Sequence, residues 1–534
     1  MRGIAILAII LVALASTPVA GQAPAGGVVR IAIGVDEGTL NPYTYRTGYP
    51  GWNFMTMVYD TLYYPDPNNE PIPWLVRETR VSPDGLTWTL TLHPNITWHD
   101  GRPLTSDDVR FTFDYVRRIT HSRWTPTTRN LSAVEAPNPQ TVVFRLMVPD
   151  AGFALRTLAD VPVLPRHIWE AVTTVAAARA FTNTVGSGPY RVEEIRGGQF
   201  YRLTANSQYF AGRVKVRELI LPIVRDATVA FTALKAGEVD TGSRLLSPEL
   251  VAEFEKTPGM KVVRGPGFAT TLLQFNLEHP LLRDLKLRRA IAYAINTQLM
   301  VRLLMLGYAV VGAPGYMHPA SPFYAPGIRF SADKTRAVAI LNEAGYRDRN
   351  GDGIREAPDG TALRFTLLAN SENPIRIRGA ELVRTWLKDV GIGVDVRVMD
   401  DASLIDLVWP DFDVCKGRRF DLAMFGWSAP VMTRPTALRD LFHSNCQTGT
   451  INIGGYKNQQ IDRLGDQLAI TVLPERQKQL AATMQKIIAD ELPVHVLFYQ
   501  DVIMAYRQAA YDTWVFQKGQ GILTKLSFVD PPKR

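Results

Sequence analysis

Residues 86–116 read LTWTLTLHPNITWHDGRPLTSDDVRFTFDYV, and this stretch passes from a strand pattern to a helix pattern. Apolar and polar residues alternate over residues 86–92, which predicts a half-buried strand. The turn pair Asp100 and Gly101 follows, and Thr105 or Ser106 is placed to cap a helix. Apolar residues then recur at helical spacing. The stretch therefore predicts a strand, a turn and an amphipathic helix in that order.

The same stretch contains acidic and imidazole groups that could form a metal or acid/base site, namely His99, Asp100, Asp107 and Asp108. Each of them also has a simpler structural role. Asp107 and Asp108 fall in the first turn of the predicted helix, where carboxylates stabilise the free N–H groups and the positive end of the helix dipole. A catalytic or metal site would need His99 to converge on these acids. The sequence favours the structural interpretation.

The first residues predict export. Arg2 precedes an apolar run over residues 4–15, and small residues follow, as in a cleavable secretory signal. The small residues allow cleavage after Gly21 or after Ala25, and we assign residues 1–21 to a signal peptide. Because no cysteine lies near this junction, a lipid anchor is not expected. We expect a protein exported to the periplasm without a lipid anchor.

Length and composition narrow the class of protein. The sequence has 534 residues, which is more than a single hydrophobic core supports, so two or three domains are expected. Hydrophobic residues make up 46% and charged residues 21%, both ordinary for globular proteins. The net charge of +8 is not concentrated in any block of five or more basic residues. We therefore expect no nucleic-acid partner.

Helix patterns alternate with strand patterns along the rest of the chain. Residues 227–236, 288–306, 333–344 and 380–390 each show helical periodicity and end before a glycine. In LKAGEVD and in LVRTWLKDVGIGVDVRV a helix is followed by glycine and then directly by a strand. This order predicts α/β lobes whose strands are covered by helices.

Seven segments together are similar to one known family. They are the stretch at 86–116, GSGPYRVEEI at 186–195, ALKAGEVD at 233–240, FNLEHPLLRDLKLRRAIAYAIN at 275–296, KTRAVAILNEAGY at 334–346, FDLAMFGW at 420–427 and GYKNQQID at 455–462. In this order they resemble the bacterial extracytoplasmic solute-binding proteins of family 5, the dipeptide, oligopeptide and nickel type. The resemblance covers essentially the whole mature chain.

The resemblance implies an α/β, two-lobed periplasmic-binding-protein type II fold with a hinge and an extra insert subdomain. Lobe I would comprise residues 28–62, 184–268 and 500–534; the insert subdomain of lobe I would comprise residues 63–183; and lobe II would comprise residues 269–499. The chain would cross between the lobes near Phe268 and Tyr499. A ligand held between two lobes stabilises the closed state through the contacts that it makes to both of them.

The function implied by the resemblance is that of a periplasmic substrate-binding component of an ABC-type importer. Such a protein captures a peptide-like or other small organic solute and delivers it to permease subunits in the inner membrane; we expect a monomer that is not an enzyme. The sequence contains no G-x-S-x-G, H-E-x-x-H or G-x-x-x-x-G-K-[ST] motif. Two alternatives stay open, a secreted hydrolase with a triad from distant residues, and a non-transport ligand sensor or chaperone.

The ligand-binding residues implied by the resemblance lie on loops at strand ends and nearby. They are Glu37, Thr39, Leu40, Asn41, Gln274, Asn276, Arg376, Arg378, Trp427, Arg434, Tyr456 and Asn458. For Trp427 a place in the core is an equal alternative, and for Arg376 and Arg378 a solvated helix start is one.

One segment departs from the family pattern. In peptide-binding relatives the loop after the tryptophan supplies an aspartate that holds the α-amine of the peptide. Here Trp427 is followed by SAPVMTRP, which contains no acid, and Arg434 is its only charged residue. We therefore hypothesise a ligand other than a simple N-terminal peptide, either neutral or anionic.

Residues 348–359 read DRNGDGIREAPD and match the spacing of a calcium-binding loop. The ligands in that interpretation are Asp348, Asn350, Asp352, Glu356 and Asp359. Against calcium, no helix pattern leaves the loop and the last ligand is Asp rather than Glu. The alternative is a solvated connector, since such residues also form good turns. No cofactor is expected apart from this structural calcium.

The chain contains two cysteines, Cys415 and Cys446. In an oxidising compartment a disulfide between them is the leading interpretation. Two free buried thiols are the alternative.

Overall fold

The computed structural model describes residues 26–43, 51–121, 123–326, 330–428, 433–448 and 451–533. The assigned signal peptide and both cleavage points lie outside the described residues. The described strands are β1 (Gly26–Ala32), β2 (Tyr63–Pro65), β3 (Pro71–Pro73), β4 (Val76–Val81), β5 (Thr87–Leu92), β6 (Leu131–Asn138), β7 (Thr141–Leu146), β8 (Tyr190–Arg196), β9 (Phe200–Ala205), β10 (Val216–Pro222), β11 (Thr241–Gly242), β12 (Met260–Gly265), β13 (Thr270–Phe275), β14 (Ala309–Val311), β15 (Arg364–Asn370), β16 (Gly393–Met399), β17 (Leu422–Phe425), β18 (Val494–Gln500) and β19 (Val502–Arg507).

The described α-helices are α1 (Gly51–Val58), α2 (Ser106–Arg118), α3 (Arg166–Trp169), α4 (Val175–Ala180), α5 (Ala227–Ala236), α6 (Val251–Lys256), α7 (Leu285–Ala294), α8 (Thr297–Met305), α9 (Lys334–Glu343), α10 (Pro374–Lys388), α11 (Asp401–Val408), α12 (Ala437–Phe442), α13 (Gln459–Ile470), α14 (Pro474–Glu491) and α15 (Lys525–Phe528). Short 3₁₀ turns at Thr125–Thr128, Pro248–Leu250, Pro410–Phe412, Val414–Lys416 and Cys446–Thr448, and a π-helical turn at Ala154–Leu158, complete the set. No described helix is both long enough and apolar enough to cross a membrane.

A seven-stranded sheet forms the body that we call lobe I. Its strand order is β12-β19-β11-β1-β10-β9-β8, with β1 parallel to both β10 and β11 and the other pairs antiparallel. Side chains such as Val29 and Leu219, which lie side by side on β1 and β10, are fully enclosed. The sheet therefore joins the beginning and the end of the described chain in one body.

A four-stranded antiparallel sheet, β4-β5-β7-β6, forms the insert that follows β1 in sequence. Its buried residues, among them Leu90 and Phe144, belong to the same hydrophobic cluster as Val29 and Leu219 of lobe I. Because the two sheets share one continuous core, the insert is expected to move with lobe I rather than independently.

A six-stranded sheet forms the second body, lobe II, with the order β14-β18-β13-β17-β15-β16. Successive residues of its central strand, Leu272 and Leu273, enter two different hydrophobic clusters. This is the alternation expected of a strand with side chains on both faces of a sheet. Helices such as α10 cover one face, and the residues of both clusters are buried.

The chain passes between the lobes twice, once from β12 to β13 and once from β18 to β19. The two crossing segments lie side by side, since the backbone N–H of Gln500 donates to the carbonyl of Ala269 at 3.2 Å. A Cβ atom on Gly267 would lie 1.9 Å from the carbonyl oxygen of Gln500, so only glycine fits there. Phe268 beside it takes the uncommon left-handed φ of 58° and is buried.

The stretch at 86–116 folds as a strand, a turn and a helix. Thr105 is the N-cap of α2, and the carboxylate of Asp108 accepts the backbone N–H of Thr105 at 2.9 Å. His99 lies between two backbone groups of the segment before β8, bonding the carbonyl of Gly188 at 3.0 Å and accepting the N–H of Gly186 at 3.2 Å. Burial lowers the pKa of His99 to about 4, so the ring is neutral. These contacts are structural.

One predicted helix is wrong in its extent. The pattern over residues 288–306 predicted a continuous helix, but the structure has α7 and α8, separated at Ile295 and Asn296. The side chain of Asn296 accepts the backbone N–H of Leu299 at 2.9 Å and so begins a new helix. By contrast, α5 spans residues 227–236 as predicted and ends at Gly237, which takes the left-handed φ of 81°.

A fully buried ion pair lies where lobe I, the insert and the last helix meet. The Nζ of Lys525 is 2.6 Å from Oδ1 of Asp60, and neither side chain is exposed. Asp60 also accepts hydrogen bonds from Trp74 Nε1 at 3.0 Å, from the hydroxyl of Tyr209 at 2.9 Å and from that of Ser187 at 3.1 Å. The buried carboxylate is therefore paired and hydrogen-bonded as burial requires.

The structure joins Cys415 and Cys446 in a disulfide, with a Cα–Cα distance of 5.3 Å. The bond connects two short 3₁₀ turns of lobe II and closes the segment that contains Trp427 and Arg434.

Candidate ligand-binding site

The two lobes are in contact at two places away from the crossing segments. The backbone N–H of Ala151 in the insert donates to the carbonyl of Ala469 in α13 at 3.0 Å. Arg378 of α10 forms an exposed ion pair with Glu249 of lobe I at 3.6 Å. The lobes therefore touch through the insert and through α10.

The larger cavity lies at the carboxyl ends of β1 and β11, the edge at which α/β sheets commonly bind ligands. Its volume is about 680 Å³, and its wall includes Val35, Phe231, Arg244, Leu245 and Phe254. All of its lining residues belong to lobe I. The rim lies next to Glu249, the residue that α10 of lobe II contacts.

A second cavity of about 290 Å³ lies between the lobes. Lobe I and the insert supply most of its wall, including Trp52, Arg123, Arg156 and Lys518, while Thr433 and Arg434 come from lobe II. Arg156 belongs to the π-helical turn, a geometry that is frequent at functional sites. This cavity brings residues of both bodies together around one space.

Its arginines are anchored by carboxylates of their own side. Arg123 makes a two-point contact with Asp160 at 2.7 and 2.5 Å. Nη2 of Arg156 donates to both oxygens of Asp150 at 2.9 Å, and Nη2 of Arg434 donates to Asp440 at 3.2 Å. Such carboxylates fix the position of a guanidinium group before a ligand arrives.

Burial is the main influence on Arg434. It lowers the pKa of the guanidinium, the carboxylate of Asp440 raises it, and the charge of Arg156 across the lobe boundary lowers it. The group stays protonated, because arginine does not lose its proton in proteins. Arg156 and Asp160 of the insert line the same cavity as Arg434 of lobe II, so these groups of two lobes are near neighbours.

The predicted loop residues after β1 are mostly buried. Glu37 and Asn41 are 1% and 0% exposed, Leu40 is enclosed, and Thr39 is partly buried. The side-chain amide of Asn41 donates to the carbonyls of Ala178 and Phe181 in the insert, at 2.8 and 2.6 Å. Asn41 thus fixes the loop to the insert instead of lining either cavity.

Three predicted residues of lobe II meet around a small internal gap. Gln274, Trp427 and Tyr456 line it together. The hydroxyl of Tyr456 donates to Glu491 at 2.6 Å, and the amide of Asn458 donates to the same carboxylate at 2.7 Å. Tyr456 and Asn458 therefore act as a pair that holds α14.

The other predicted residues of lobe II make contacts of different kinds. The amide of Asn276 donates to the carbonyl of Phe420 at 2.7 Å. Arg376 packs beside Phe425, its Nε is buried without a partner, and burial lowers its pKa. Arg378 reaches lobe I, as described above. Of the twelve predicted residues, Arg434 lines the cavity between the lobes.

Sequence reasoning missed most residues of that cavity. Trp52, Arg123, Arg156 and Lys518 belong to segments far apart in the sequence, and no spacing rule connects them. The one available signal was the charge on the segment after Trp427, which pointed to Arg434.

The calcium-like loop brings three of its five predicted ligands together. Ligand oxygens of Asp348, Asp352 and Glu356 lie within 4.8 Å of one another. The side-chain oxygen of Asn350 accepts the N–H of Asp352, and that of Asp359 accepts the N–H of Thr361. Calcium binding stays a prediction, with Asn350 and Asp359 engaged in local turns.

The sequence matches the family described as bacterial extracellular solute-binding proteins, family 5 Middle, over residues 70–449. The chain belongs to this family. Members are binding proteins, and this family 5 protein is the substrate-binding component of an ABC-type importer with the two-lobed type II fold.

Individual relatives agree with this assignment. The family 5 chain is 28% identical to the oligopeptide-binding protein AppA of Bacillus subtilis over 91% of its length and 88% of AppA. It is 31% identical to protein XP55 of Streptomyces lividans over 72% of its length and 71% of that protein.

Solved structures agree as well. The structure of AppA in complex with a nonapeptide matches with a TM-score of 0.73 at 25% identity, over 95% of this chain and 99% of AppA. NikZ of Campylobacter jejuni in complex with Ni(L-His) matches with a TM-score of 0.73 at 25% identity, over 90% and 94% of the two chains.

Proposed function

We propose that this protein captures a small organic solute in the space between its lobes and delivers it to permease subunits of the importer. The observation that supports this most directly is the cavity of about 290 Å³, whose wall includes Arg156 from the insert and Arg434 from lobe II. A solute in this position contacts both bodies and so favours their closed arrangement.

The solute is peptide-like or another small organic molecule, and its recognition does not depend on a free α-amine. The complexes of AppA and NikZ contain a nonapeptide and a nickel–histidine complex, so family membership leaves the ligand open. The segment after Trp427 contains no acid that could pair with an ammonium group. Its one charge, that of Arg434, is positive.

We also propose the lobe boundaries at 28–62, 184–268 and 500–534 for lobe I, 63–183 for the insert and 269–499 for lobe II. The membership of the strands in the three larger sheets supports this division. Limited proteolysis tests the boundary between the insert and lobe I near residue 183, where the chain is exposed: early cleavage is expected there, and early cleavage inside a sheet would contradict the division.

The first experiment identifies the solute. The purified protein is denatured, and the released small molecules are identified by mass spectrometry. We then expect the identified compound to raise the melting temperature of the stripped protein by mass action, without turnover. Accumulation of a chemical product would instead favour the secreted hydrolase, and a compound that binds while the protein fails to bind permease subunits would favour the sensor.

A second experiment tests the role of the amine. Calorimetry compares tri-alanine with N-acetyl-tri-alanine. We expect acetylation to leave any binding unchanged within about threefold, since no acid follows Trp427. Tight binding that disappears on acetylation would refute this part of the proposal.

A further inference from the structure

The cavity between the lobes contains hydrogen-bond donors that the protein does not use. In the described residues, the side-chain hydrogen bonds of Arg156 and Arg434 all run through Nη2. The Nε of each is buried and has no partner. Because a guanidinium group carries five N–H donors, each arginine keeps N–H groups beyond these bonds that can donate to acceptor oxygens of an occupant.

The charges around the cavity point to the sign of that occupant. Among the described residues, its wall carries four cationic residues, Arg123, Arg156, Arg434 and Lys518, and one acid, Asp160. Asp150 and Asp440 pair with two of the arginines, which still leaves one positive charge in excess. A site with excess positive charge and free N–H groups favours an anion.

The arginines do not serve to fasten the lobes together. Arg156 pairs with Asp150 inside the insert, and Arg434 pairs with Asp440 inside lobe II. Neither pair crosses the boundary. Instead, closure brings two like charges towards each other, because Arg156 and Arg434 line the same cavity. An anion between them would convert this repulsion into attraction to both lobes.

We propose that the captured solute carries a carboxylate or phosphate group, and that this group binds between Arg156 of the insert and Arg434 of lobe II. This inference rests on the proposed capture function and names the chemical class of the solute. The same anion that satisfies the two guanidinium groups would promote closure of the lobes, because it contacts both of them.

The test uses matched pairs of probes that differ in the anionic group alone. One pair is N-acetyl-tri-alanine and its C-terminal amide, and the other is glucose 6-phosphate and glucose. Calorimetry on the stripped full-length mature protein measures binding of each. We expect the charged member of at least one pair to bind ten or more times more tightly than its neutral partner. The pair that responds distinguishes a carboxylate from a phosphate.

Variants connect the preference to the two arginines. Arg434→Gln, Arg434→Lys and Arg156→Gln are each expected to reduce the preference for the charged member at least tenfold. Arg434→Lys keeps the charge beside Asp440 and guards against a folding defect. Two exposed, ion-paired arginines of the same bodies serve as controls, Arg145→Gln in the insert and Arg419→Gln in lobe II, and these should leave the preference unchanged.

The outcomes separate this inference from the capture function. Equal binding of the charged and neutral members, or a preference that survives all three variants, would overturn the anionic class. A neutral or cationic solute released from the denatured protein would also overturn it, while capture itself would stand. If no solute is released and no probe binds, both the inference and the capture function fail.

Discussion

At the scale of single residues, the buried pair of Lys525 and Asp60 gives the sharpest prediction. Lys525→Met leaves a carboxylate without a counter-charge in a site where neither side chain is exposed. We expect the free energy of unfolding in urea to fall by about 3–5 kcal/mol. Lys416→Met removes an exposed ion pair with Asp411 and should leave the free energy of unfolding close to that of the wild type. Equal urea midpoints of unfolding for the two variants would contradict this account.

His495 gives a prediction about pH. It lies on β18, both ring nitrogens lack a partner, and burial lowers its pKa to about 4. Because the folded pKa is below the unfolded value of about 6.5, the unfolded chain takes up a proton first as the pH falls. The stability contribution is therefore complete above pH 6.5 and is lost between pH 6.5 and 4.

The measurement compares the wild type with His495→Leu by urea unfolding at pH 7 and pH 5. Between these values the wild type should lose on the order of 2 kcal/mol more than the variant. The other buried histidines, such as His318, are present in both proteins and cancel in the difference. Parallel pH profiles would show that His495 does not contribute to the acid sensitivity.

The residue scale is also where sequence reasoning about the site was weakest. Arg434 was identified because it replaces an expected acid in a short segment. Arg156 was not, because a guanidinium in a π-helical turn of the insert has no local pattern that relates it to lobe II. A cavity assembled from distant segments depends on tertiary contacts that spacing rules do not contain.

At the scale of elements, local signals predicted much of the fold. α5 matches the predicted range 227–236, which rested on apolar periodicity ending before Gly237, and the structure shows that Asp226 caps its other end. The pattern over 288–306 failed because the apolar periodicity continues through Asn296, although that side chain begins a second helix. Periodicity indicates which face is buried, whereas capping decides where a helix is interrupted.

The disulfide is an element-scale constraint on the segment that includes Trp427 and Arg434. Replacing both cysteines, Cys415→Ser with Cys446→Ser, should lower the free energy of unfolding by about 3–4 kcal/mol through the entropy of the closed loop. Urea unfolding with and without dithiothreitol checks this. The reductant should destabilise the wild type and leave the double variant unchanged.

The calcium hypothesis belongs to the same scale. It predicts that millimolar Ca²⁺ raises the melting temperature of the wild type, and that Glu356→Gln removes the increase. Asp359→Asn is the matched control, because Asp359 lies outside the group of three oxygens and bonds Thr361 instead. An unchanged melting temperature in the wild type would leave the loop as a solvated connector.

At the scale of the whole molecule, the hinge is the feature to test. In Gly267→Ala the added Cβ would lie 1.9 Å from the carbonyl oxygen of Gln500, so the crossing segments must separate. We expect a loss of about 1–3 kcal/mol in the free energy of unfolding. Gly197→Ala, at a glycine with open space around it, is the control. Equal stability of both variants would show that the hinge accommodates the change.

The contact between Gly267 and Gln500 also limits how the two bodies can travel. Segments that touch backbone to backbone can bend, but one cannot slide along the other without a steric clash. The lobes can therefore rotate about the hinge, but one lobe does not shift along the other. Each closure would therefore bring Arg156 and Arg434 towards each other along the same path.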